Sequence, residues 1–397
     1  MASLLEPVTI GETLSLRNRV VMGSMTRNRC IDDNKPGLAQ VKHYADRARD
    51  GAGLIVTEGT FIDWTGCDWK YAPVMITNEH AEAWRRVTDA VHDEGGKIIF
   101  QAWHAGRCQH DEMPVMKDHG RSVLAPSAIP ADAGKYRDLP GKPRHTRNLV
   151  AIDNPSDIVA LYKRACQLAM EAGFDGVELL AQGGYLPQQF LSTRANKRTD
   201  AYGGTVKNRC RFILEVVDDI AAVFGGPEFI CVKLNPTDIL NDSVVSFDEM
   251  QETYSYLINE LVSRKVGIIN ISRRGAGNDE SNEFFGYSRP EGYPIPDGYD
   301  PVIEFGKLVK RPGSSSLLMA NHEYTVEEAD RLVKAGSLDL VTFGRPFMYN
   351  PDVVSRIRRG IPFAENDRGD AVYYGPYQTP DENYNDWPAA ASEHTRL

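Results

Sequence analysis

The stretch PSDIVALYKRACQLAMEAG (residues 155–173), followed by GVELLA (residues 176–181), shows the unit from which this chain is built. The first segment opens with Pro155-Ser156-Asp157, carries apolar residues at helical spacing and closes on a glycine, so it predicts an amphipathic helix. The second is a short apolar run without polar alternation, which is typical of a strand covered on both faces. A helix that leads into a buried strand predicts an α/β fold with parallel strands.

The buried-strand pattern recurs along the chain. Seven further runs are NRVVMG (18–23), GLIVTEG (53–59), KIIFQAW (97–103), FICVKLN (229–235), GIINIS (267–272), SLLMAN (316–321) and LDLVTFG (338–344). Helical patterns lie between most of them, for example over residues 79–96 and 325–337. Eight strands alternating with helices predict a (β/α)8 TIM barrel that forms one domain, residues 1–397. A doubly wound sheet is the alternative, but it would carry fewer strands and a GxGxxG motif, which the sequence lacks.

Two long polar insertions and an aromatic tail interrupt this pattern. The insertions run from about residue 107 to 154, after the third strand, and from about 273 to 300, after the sixth. Because both follow strands, we expect both to cap the catalytic face of the barrel. The tail, roughly residues 366–397, is rich in tyrosine and proline. It either folds back over the barrel or extends away from it.

The composition excludes several classes of protein. The chain has 397 residues, 42% of them hydrophobic, and a formal net charge of −10, which argues against a nucleic-acid or anionic-membrane surface. No run approaches the ~18 apolar residues of a membrane helix, and no signal peptide is evident. The six cysteines are scattered without a CxxC pair, so neither disulfides nor a zinc site are expected. We therefore predict a cytoplasmic protein, a monomer or a homodimer, that acts on a small molecule.

The chemistry of a TIM barrel lies just beyond the carboxyl ends of its strands. The residues at these ends are Thr26, Gly59, Gln101, His104, Lys233, Arg273, Asn321, Gly344 and Arg345. Neutral hydrogen-bonding groups dominate, and no metal-binding cluster is present. Paired carboxylates are also missing, apart from Glu58 and Glu178, which lie inside apolar strands. Such a set of residues suits a ligand that joins a flat polar heterocycle to a phosphate. Gly344 and Arg345 would bind the phosphate. Taken singly, each residue also fits a purely structural role.

Longer motifs agree with a known family. QFLSTRANKRTDAYGGTVKNRCRFILEVV (189–217), MTRNR (25–29), TEGTF (57–61), QAWHAGR (101–107) and FGRPFMYNPD (343–352) occur in the family's order and spacing. The chain thereby resembles the Old Yellow Enzymes, FMN-dependent ene-reductases that fold as (β/α)8 barrels and take electrons from NAD(P)H. The resemblance covers nearly the whole length, and the aromatic tail is similar to the family's closing segment.

The resemblance implies roles for individual residues. Thr26 corresponds to the residue that binds the flavin carbonyl, and Gly59 and Gln101 to positions along the flavin ring. Lys233 stands where the family usually has an arginine, so the positive charge is kept but the two-pronged geometry is lost. The positions that match the phosphate site are Asn321, Gly344 and Arg345. Those that match the substrate pocket are Trp69, Trp103 and Tyr374.

The chain departs from the family at the fourth strand. The usual motif there carries a histidine and, three residues later, an asparagine or second histidine, which together bind the carbonyl oxygen of an α,β-unsaturated substrate. Leu180 and Gly183 occupy these two places of the substrate pocket, whereas Tyr185, which matches the catalytic proton donor, is retained. Losing one preorganised donor typically costs roughly 2.7–4 kcal/mol of transition-state stabilisation. We therefore expect ordinary enones to be poor substrates.

Another residue could replace the missing donors. His104, Arg273 and His322 are the candidates from other strand ends. Gln182 is nearer in sequence, but we expect it to point away from the face of Leu180. Three functions remain open: an ene-reductase for a specialised, bulky or apolar substrate; a redox-neutral isomerase or epimerase; and a flavin-binding protein with little catalysis.

Overall fold

The computed structural model describes residues 2–132, 139, 141, 144–273 and 289–390. Its strands, in chain order, are β1 (Val8–Ile10), β2 (Leu14–Leu16), β3 (Val20–Met22), β4 (Leu54–Val56), β5 (Thr60–Phe61), β6 (Ile98–Trp103), β7 (Val123–Ala125), β8 (Leu149–Ala151), β9 (Val177–Ala181), β10 (Ile230–Leu234), β11 (Ile268–Ser272), β12 (Leu317–Asn321) and β13 (Leu340–Phe343). The central sheet runs β4-β3-β13-β12-β11-β10-β9-β6 and closes through a further pairing of β4 with β6. All these pairings are parallel, so the predicted (β/α)8 barrel is confirmed.

Each of the eight predicted runs contains one barrel strand. In the second run β4 ends at Val56, and the chain pairs with β6 again at β5, just beyond the end of the run. The strands are almost wholly buried on both faces, as continuous apolar runs require.

Helices surround the barrel between the strands. They are α1 (Leu38–Asp50), α2 (Asn78–Asp93), α3 (Pro114–Asp118), α4 (Pro155–Glu171), α5 (Leu186–Leu191), α6 (Val206–Phe224), α7 (Phe247–Ser263), α8 (Pro301–Val309), α9 (Val326–Lys334), α10 (Arg345–Tyr349), α11 (Val353–Arg359) and α12 (Ala371–Tyr374). The three helices predicted over 79–96, 155–173 and 325–337 are α2, α4 and α9. The side chains of Asn154 and Thr325 accept backbone N–H bonds at the starts of α4 and α9, which fixes where these helices begin. No described helix is long and apolar enough to cross a membrane.

The amino-terminal hairpin closes one end of the barrel. β1 and β2 pair in antiparallel fashion, and Ile10 and Leu16 pack against residues near the beginnings of the barrel strands, such as Leu54 and Leu340. The hairpin therefore covers the end of the barrel opposite the carboxyl ends of the strands.

The first insertion caps the open end, as predicted. It contains α3, β7 and β8, and its residues Met113, Met116 and Val123 pack in one cluster with Trp103 and Leu180. The second predicted cap lies mostly outside the described residues, which resume at residue 289.

The tail folds back onto the barrel. Arg27 donates hydrogen bonds to the carbonyls of Val372 and Asn383 at 2.9 and 2.8 Å. The ring of Tyr384 is completely buried and stacks on His43 with 3.8 Å between ring centroids. Of the two courses left open for the tail, packing against the barrel is the one observed for residues up to 390.

Candidate active site

Strand register brings the predicted residues to one end of the barrel. Gln101 lies beside Glu178, and Lys233 lies between Leu180 and Asn270. Further round, Ser272 is level with Asn321. Gln101, Lys233, Ser272 and Asn321 are at or near the carboxyl ends of their strands and form a rim, whereas Glu178 and Asn270 lie one layer further into the barrel.

Glu178 is the centre of a buried hydrogen-bond network just below this rim. Its carboxylate accepts bonds from Gln101 Nε2 at 2.6 Å, Asn270 Nδ2 at 3.0 Å and the Cys231 thiol at 3.2 Å. Asn321 Nδ2 in turn donates to Asn270 Oδ1 at 2.8 Å. The network holds the amides of Gln101 and Asn321 in fixed orientations. The sequence interpretation missed Glu178 as a site residue, although an acid in an otherwise apolar strand was a visible signal.

Gly59 is required by the packing of Trp103. A Cβ atom at position 59 would lie 2.4 Å from Trp103 Cε3 and 3.1 Å from Gln101 Oε1. Trp103 is itself held by Phe61, with 4.3 Å between the stacked rings, and contacts the ring of Tyr185 edge-on at 4.9 Å. Glycine therefore leaves a flat surface beside Gln101.

Lys233 and the end of β13 supply the cations. Lys233 is only 8% exposed, and it has no salt bridge within the part of the chain that the structure describes. A buried ammonium group is costly without a negative or electron-rich partner. Gly23 N donates to Phe343 O at 2.9 Å and so joins β13 to β3, which brings Gly344 to the segment containing the half-buried Thr26. Arg345 follows Gly344 and is exposed.

This arrangement fits the cofactor expected from the sequence. Neutral amides in fixed orientations can bind the polar edge of a flavin, and Lys233 can face the part of the ring that becomes negative on reduction. A Cβ atom at position 344 would lie only 3.1 Å from Met25 Sδ, so this strand end also favours glycine. Among the described residues, no group of three or more His, Cys, Asp and Glu could hold a metal ion.

The turn after β9 differs from the rest of the rim. Gly183 and Gly184 both have a φ of +73°, a conformation that glycine adopts at little cost. Asp238 Oδ2 accepts a 2.6 Å bond from Gly183 N, and Asn241 Nδ2 donates a 2.7 Å bond to Gly183 O. The turn is thus held by its backbone, and Leu180 adds only an apolar surface that is 6% exposed.

Tyr185 lies at the end of this turn with its ring over Gly183. A Cβ atom on Gly183 would lie 2.6 Å from Tyr185 Cε2, so the tyrosine occupies the space that a side chain at 183 would need. Burial raises the pKa of the Tyr185 hydroxyl well above its usual value, which keeps the proton on the oxygen. Trp69 and Tyr374 stack nearby with their ring centroids 4.5 Å apart.

Two of the alternative donors are fully engaged elsewhere. His104 is completely buried: its Nδ1 accepts from Gly106 N at 3.0 Å, and its Nε2 lies 3.1 Å from Thr65 Oγ1. Burial lowers its pKa to about 4, so it is neutral. Arg273 forms a two-pronged ion pair with Glu328 at 2.9 and 2.7 Å. Both residues therefore have structural roles in these contacts.

The expected direction of Gln182 is wrong. Its Oε1 accepts a 2.8 Å bond from Ser272 on β11, so the side chain points across the barrel mouth. Residues two apart in a strand share a face, and Gln182 continues the face of Glu178 and Leu180. Ser272 Oγ also lies 2.9 Å from Asn321 Oδ1, so the two amide oxygens share its one hydroxyl proton, which links Gln182 to the amide network. His322, the third candidate, follows Asn321 at the rim and is half-buried.

Comparisons with known proteins agree with this geometry. The sequence profile of the NADH:flavin oxidoreductase / NADH oxidase family matches residues 3–364. A protein of Leishmania infantum called "Probable flavin mononucleotide-dependent alkene reductase" is 34% identical over 390 residues, with 97% of each chain covered. The 12-oxophytodienoate reductase 7 of Oryza sativa subsp. japonica is 32% identical, with 96% of this chain and 93% of the rice protein covered.

Solved structures show the same relationship. The Old Yellow Enzyme homologue from Zymomonas mobilis superposes with a TM-score of 0.83 at 31% identity, covering 98% of this chain and 99% of that one. Morphinone reductase superposes with a TM-score of 0.82 at 35% identity, covering 99% and 98%.

Proposed function

Because the chain belongs to the NADH:flavin oxidoreductase / NADH oxidase family and is an FMN-dependent oxidoreductase that uses NADH or NADPH, we propose that it reduces the activated C=C bond of a specialised α,β-unsaturated substrate. Tyr185 is the proton donor in this proposal. The single observation that carries it is the turn after β9, which keeps Tyr185 beside Trp103 but presents apolar Leu180 at the rim.

The rim residues hold the cofactor in this proposal. FMN, when bound, supplies the hydride that it receives from NAD(P)H. Gln101 and Thr26 would bind the polar edge of the ring, with Gly59 allowing close approach, while Lys233 would offset its negative charge. The residues that would hold the phosphate are Asn321, Gly344 and Arg345. The hydrogen bonds of Gln101 to Glu178 and of Asn321 to Asn270 support these roles, because they orient both amides before any ligand arrives.

Tyr185 would complete the reduction. The π bond of the substrate breaks, one carbon forms a C–H bond with the hydride, and its neighbour takes the proton from the Tyr185 hydroxyl. The tyrosinate then regains a proton from water. A raised pKa suits this role, because the hydroxyl keeps its proton until a strongly basic carbon develops in front of it.

The absence of polar side chains at positions 180 and 183 supports a specialised substrate. A simple enone needs donors for the oxygen that becomes negative, and Leu180 offers none. Substrates that bind chiefly through apolar contacts lose the least binding energy when these hydrogen-bond donors are missing.

The test measures the two half-reactions, flavin reduction and flavin reoxidation, separately in the variant Tyr185→Phe. Reduction of the protein-bound flavin by NADPH should proceed at a normal rate, whereas reoxidation by substrate should slow by about 10²–10⁴-fold, the usual contribution of a general acid. Tyr162→Phe is the matched control, since Tyr162 in α4 is buried and its hydroxyl has no hydrogen-bond partner among the described residues. An unchanged reoxidation rate in Tyr185→Phe would remove the tyrosine from the proton-donating role.

A redox-neutral isomerase or epimerase is the second candidate. The same turn supports it, because a tyrosine can move protons without the oxyanion donors that enone reduction requires. The ratio of NADPH oxidised to substrate converted decides between the two: it is one for the reductase and close to zero for the isomerase.

A further inference from the structure

A large surface chamber adjoins the candidate active site. It lies between the segment after β3, the start of α1 and the tail, and it has a volume of about 1010 Å³. The apolar and aromatic residues of this chamber are Ile31, Leu38, Trp69, Tyr71, Tyr374 and Tyr377. None of the roles proposed above uses this space.

One wall of the chamber belongs to the substrate pocket as well. Trp69 packs against the cluster that contains Trp103 and Leu180, and it also lines the chamber. Tyr374 stacks on Trp69 with 4.5 Å between ring centroids, and it adds a small contribution to the raised pKa of Tyr185. The Trp69–Tyr374 pair therefore lies where the chamber meets the cluster that contains Trp103 and Leu180.

The chamber surface is unusually apolar for exposed protein. Leu38 is 77% exposed and Ile31 is 69% exposed, and both are among the few large hydrophobic residues that the described surface leaves open to water. Exposed apolar patches of this kind mark binding sites more often than chance.

The charges around the chamber do not favour an anion. Lys35 lies 3.9 Å from both Asp32 and Asp33, and Lys42 is paired with Asp46. Arg29 donates to the carbonyls of Pro380 and Glu382 at 3.0 and 2.7 Å. Both lysines are thus paired with carboxylates, and the guanidinium of Arg29 is held by backbone carbonyls. The surface therefore suits an uncharged, apolar ligand better than a nucleotide phosphate.

We propose that this chamber binds the apolar remainder of the substrate, a long alkyl chain or hydrophobic ring system that extends past the Trp69–Tyr374 pair. The proposal rests on the reductase function above and gives its substrate a chemical class: an activated alkene with a large hydrophobic substituent. Each methylene that moves from water to such a surface improves binding by at most about fourfold.

The test uses a homologous series of (E)-2-alkenals, from 2-hexenal to 2-dodecenal, with NADPH and the flavin-loaded protein. We expect kcat/KM to rise by about two- to fourfold per added methylene until the chamber is filled. Leu38→Glu should flatten this dependence, because it places a charge beside the apolar chain. Ile303→Glu is the matched control, since Ile303 is 61% exposed on α8 and does not line the chamber. Equal rates along the series, or a dependence that Leu38→Glu leaves intact, would overturn the proposal.

A second measurement separates failure of the chamber from failure of the reductase function. The n-alkanols from butanol to decanol cannot be reduced, and their binding can be followed through tryptophan emission, which Trp69 should report. Binding that tightens with chain length and weakens in Leu38→Glu, but not in Ile303→Glu, supports the chamber even if no alkenal is reduced. If Leu38→Glu instead raises the KM for NADPH and leaves alkanol binding unchanged, the chamber holds the nucleotide and the proposal is wrong.

Discussion

The amide network just below the rim and the turn after β9 lie side by side but are built in opposite ways. In the network, side chains bind side chains: Gln101 and Asn270 both donate to the buried carboxylate of Glu178. In the turn, side chains from the segment after β10 bind the backbone, as Asp238 and Asn241 do at Gly183. The first arrangement orients polar groups toward the rim, and the second follows the apolar side chain of Leu180.

The difference shows which residues of the site can be substituted without disturbing their neighbours. Any change in the network leaves a buried amide or carboxylate without its partner, so its members depend on one another. The turn keeps its shape without the side chain of Leu180, since its bonds are made by backbone atoms. A substitution of Leu180 is therefore expected to change the surface at the rim without breaking the network.

The largest expected effect comes from breaking the network at its centre. Glu178→Ala removes the acceptor of three hydrogen bonds and leaves the amide nitrogens of Gln101 and Asn270 without this acceptor in a buried position. The free energy of unfolding, measured in urea at equal flavin occupancy, should fall by about 2–6 kcal/mol, because each buried N–H donor left unpaired costs about 1–3 kcal/mol. Glu304→Ala is the control, because its partner Lys307 is on the surface and such pairs contribute at most about 1 kcal/mol. Equal losses in the two variants would show that Glu178 does not organise the rim.

The free energy of unfolding should depend on pH through Asp238, which binds the turn. Burial raises the pKa of Asp238 from 3.8 to about 6, although its bonds from backbone N–H groups oppose the shift. Since the folded-state pKa is raised, the carboxyl contributes most to stability below about pH 4, and this contribution is lost as the pH rises to about 6. The shift corresponds to roughly 3 kcal/mol.

Asp238→Asn removes this titration. The difference in unfolding free energy between wild type and variant should therefore change by up to about 3 kcal/mol between pH 4 and 6, in favour of the wild type at low pH. Glu58, whose pKa burial raises to about 7, titrates in both proteins and cancels in the difference. A difference that is flat with pH would mean that Asp238 stays ionised or exchanges with solvent.

A smaller effect is expected from one methyl group at the turn. Gly183→Ala and Gly204→Ala both place a side chain at positive φ, +73° and +77°, which costs about 1–2 kcal/mol of stability. Only Gly183→Ala also collides with the Tyr185 ring, because nothing lies within 4 Å of a Cβ atom at position 204. Both variants should lose similar stability at the backbone, but only Gly183→Ala should slow substrate-driven reoxidation. Slow reoxidation in both would assign the effect to general destabilisation.

The sequence predicted the network better than the turn. Strand alternation and register place Gln101, Lys233 and Asn321 on one rim, because parallel strands meet at their carboxyl ends. The role of Glu178 depends on which side chains are close enough to bind it across the barrel. A pattern of apolar runs does not give the distances between side chains on different strands. Asp238 follows a strand in an ordinary polar segment, so nothing in its neighbours predicts that it binds Gly183 N.

The error at Gln182 has a different origin. The sequence alone could have predicted the direction of the Gln182 side chain, since residues two apart on a strand point to the same face. The contact of Gln182 with Ser272, two strands away, could not be predicted in this way, because it depends on the width of the barrel mouth.

The smallest expected effect tests whether the turn sets substrate preference. Leu180→His places an N–H donor on the rim beside Lys233, where the wild type offers only carbon. One such bond contributes a net 0.5–1.5 kcal/mol, so the Kd for simple phenol should fall by about two- to twelvefold. Phenolate stacked on the flavin absorbs at long wavelength, so the titration is read from the visible spectrum. Gly183 stays unchanged in this test, because a side chain there would displace Tyr185. Leu180→Met, similar in volume but without a donor, should bind phenol as weakly as the wild type. If the wild type already binds phenol as tightly as Leu180→His, another residue stabilises the oxyanion, and the apolar turn has no part in selecting the substrate.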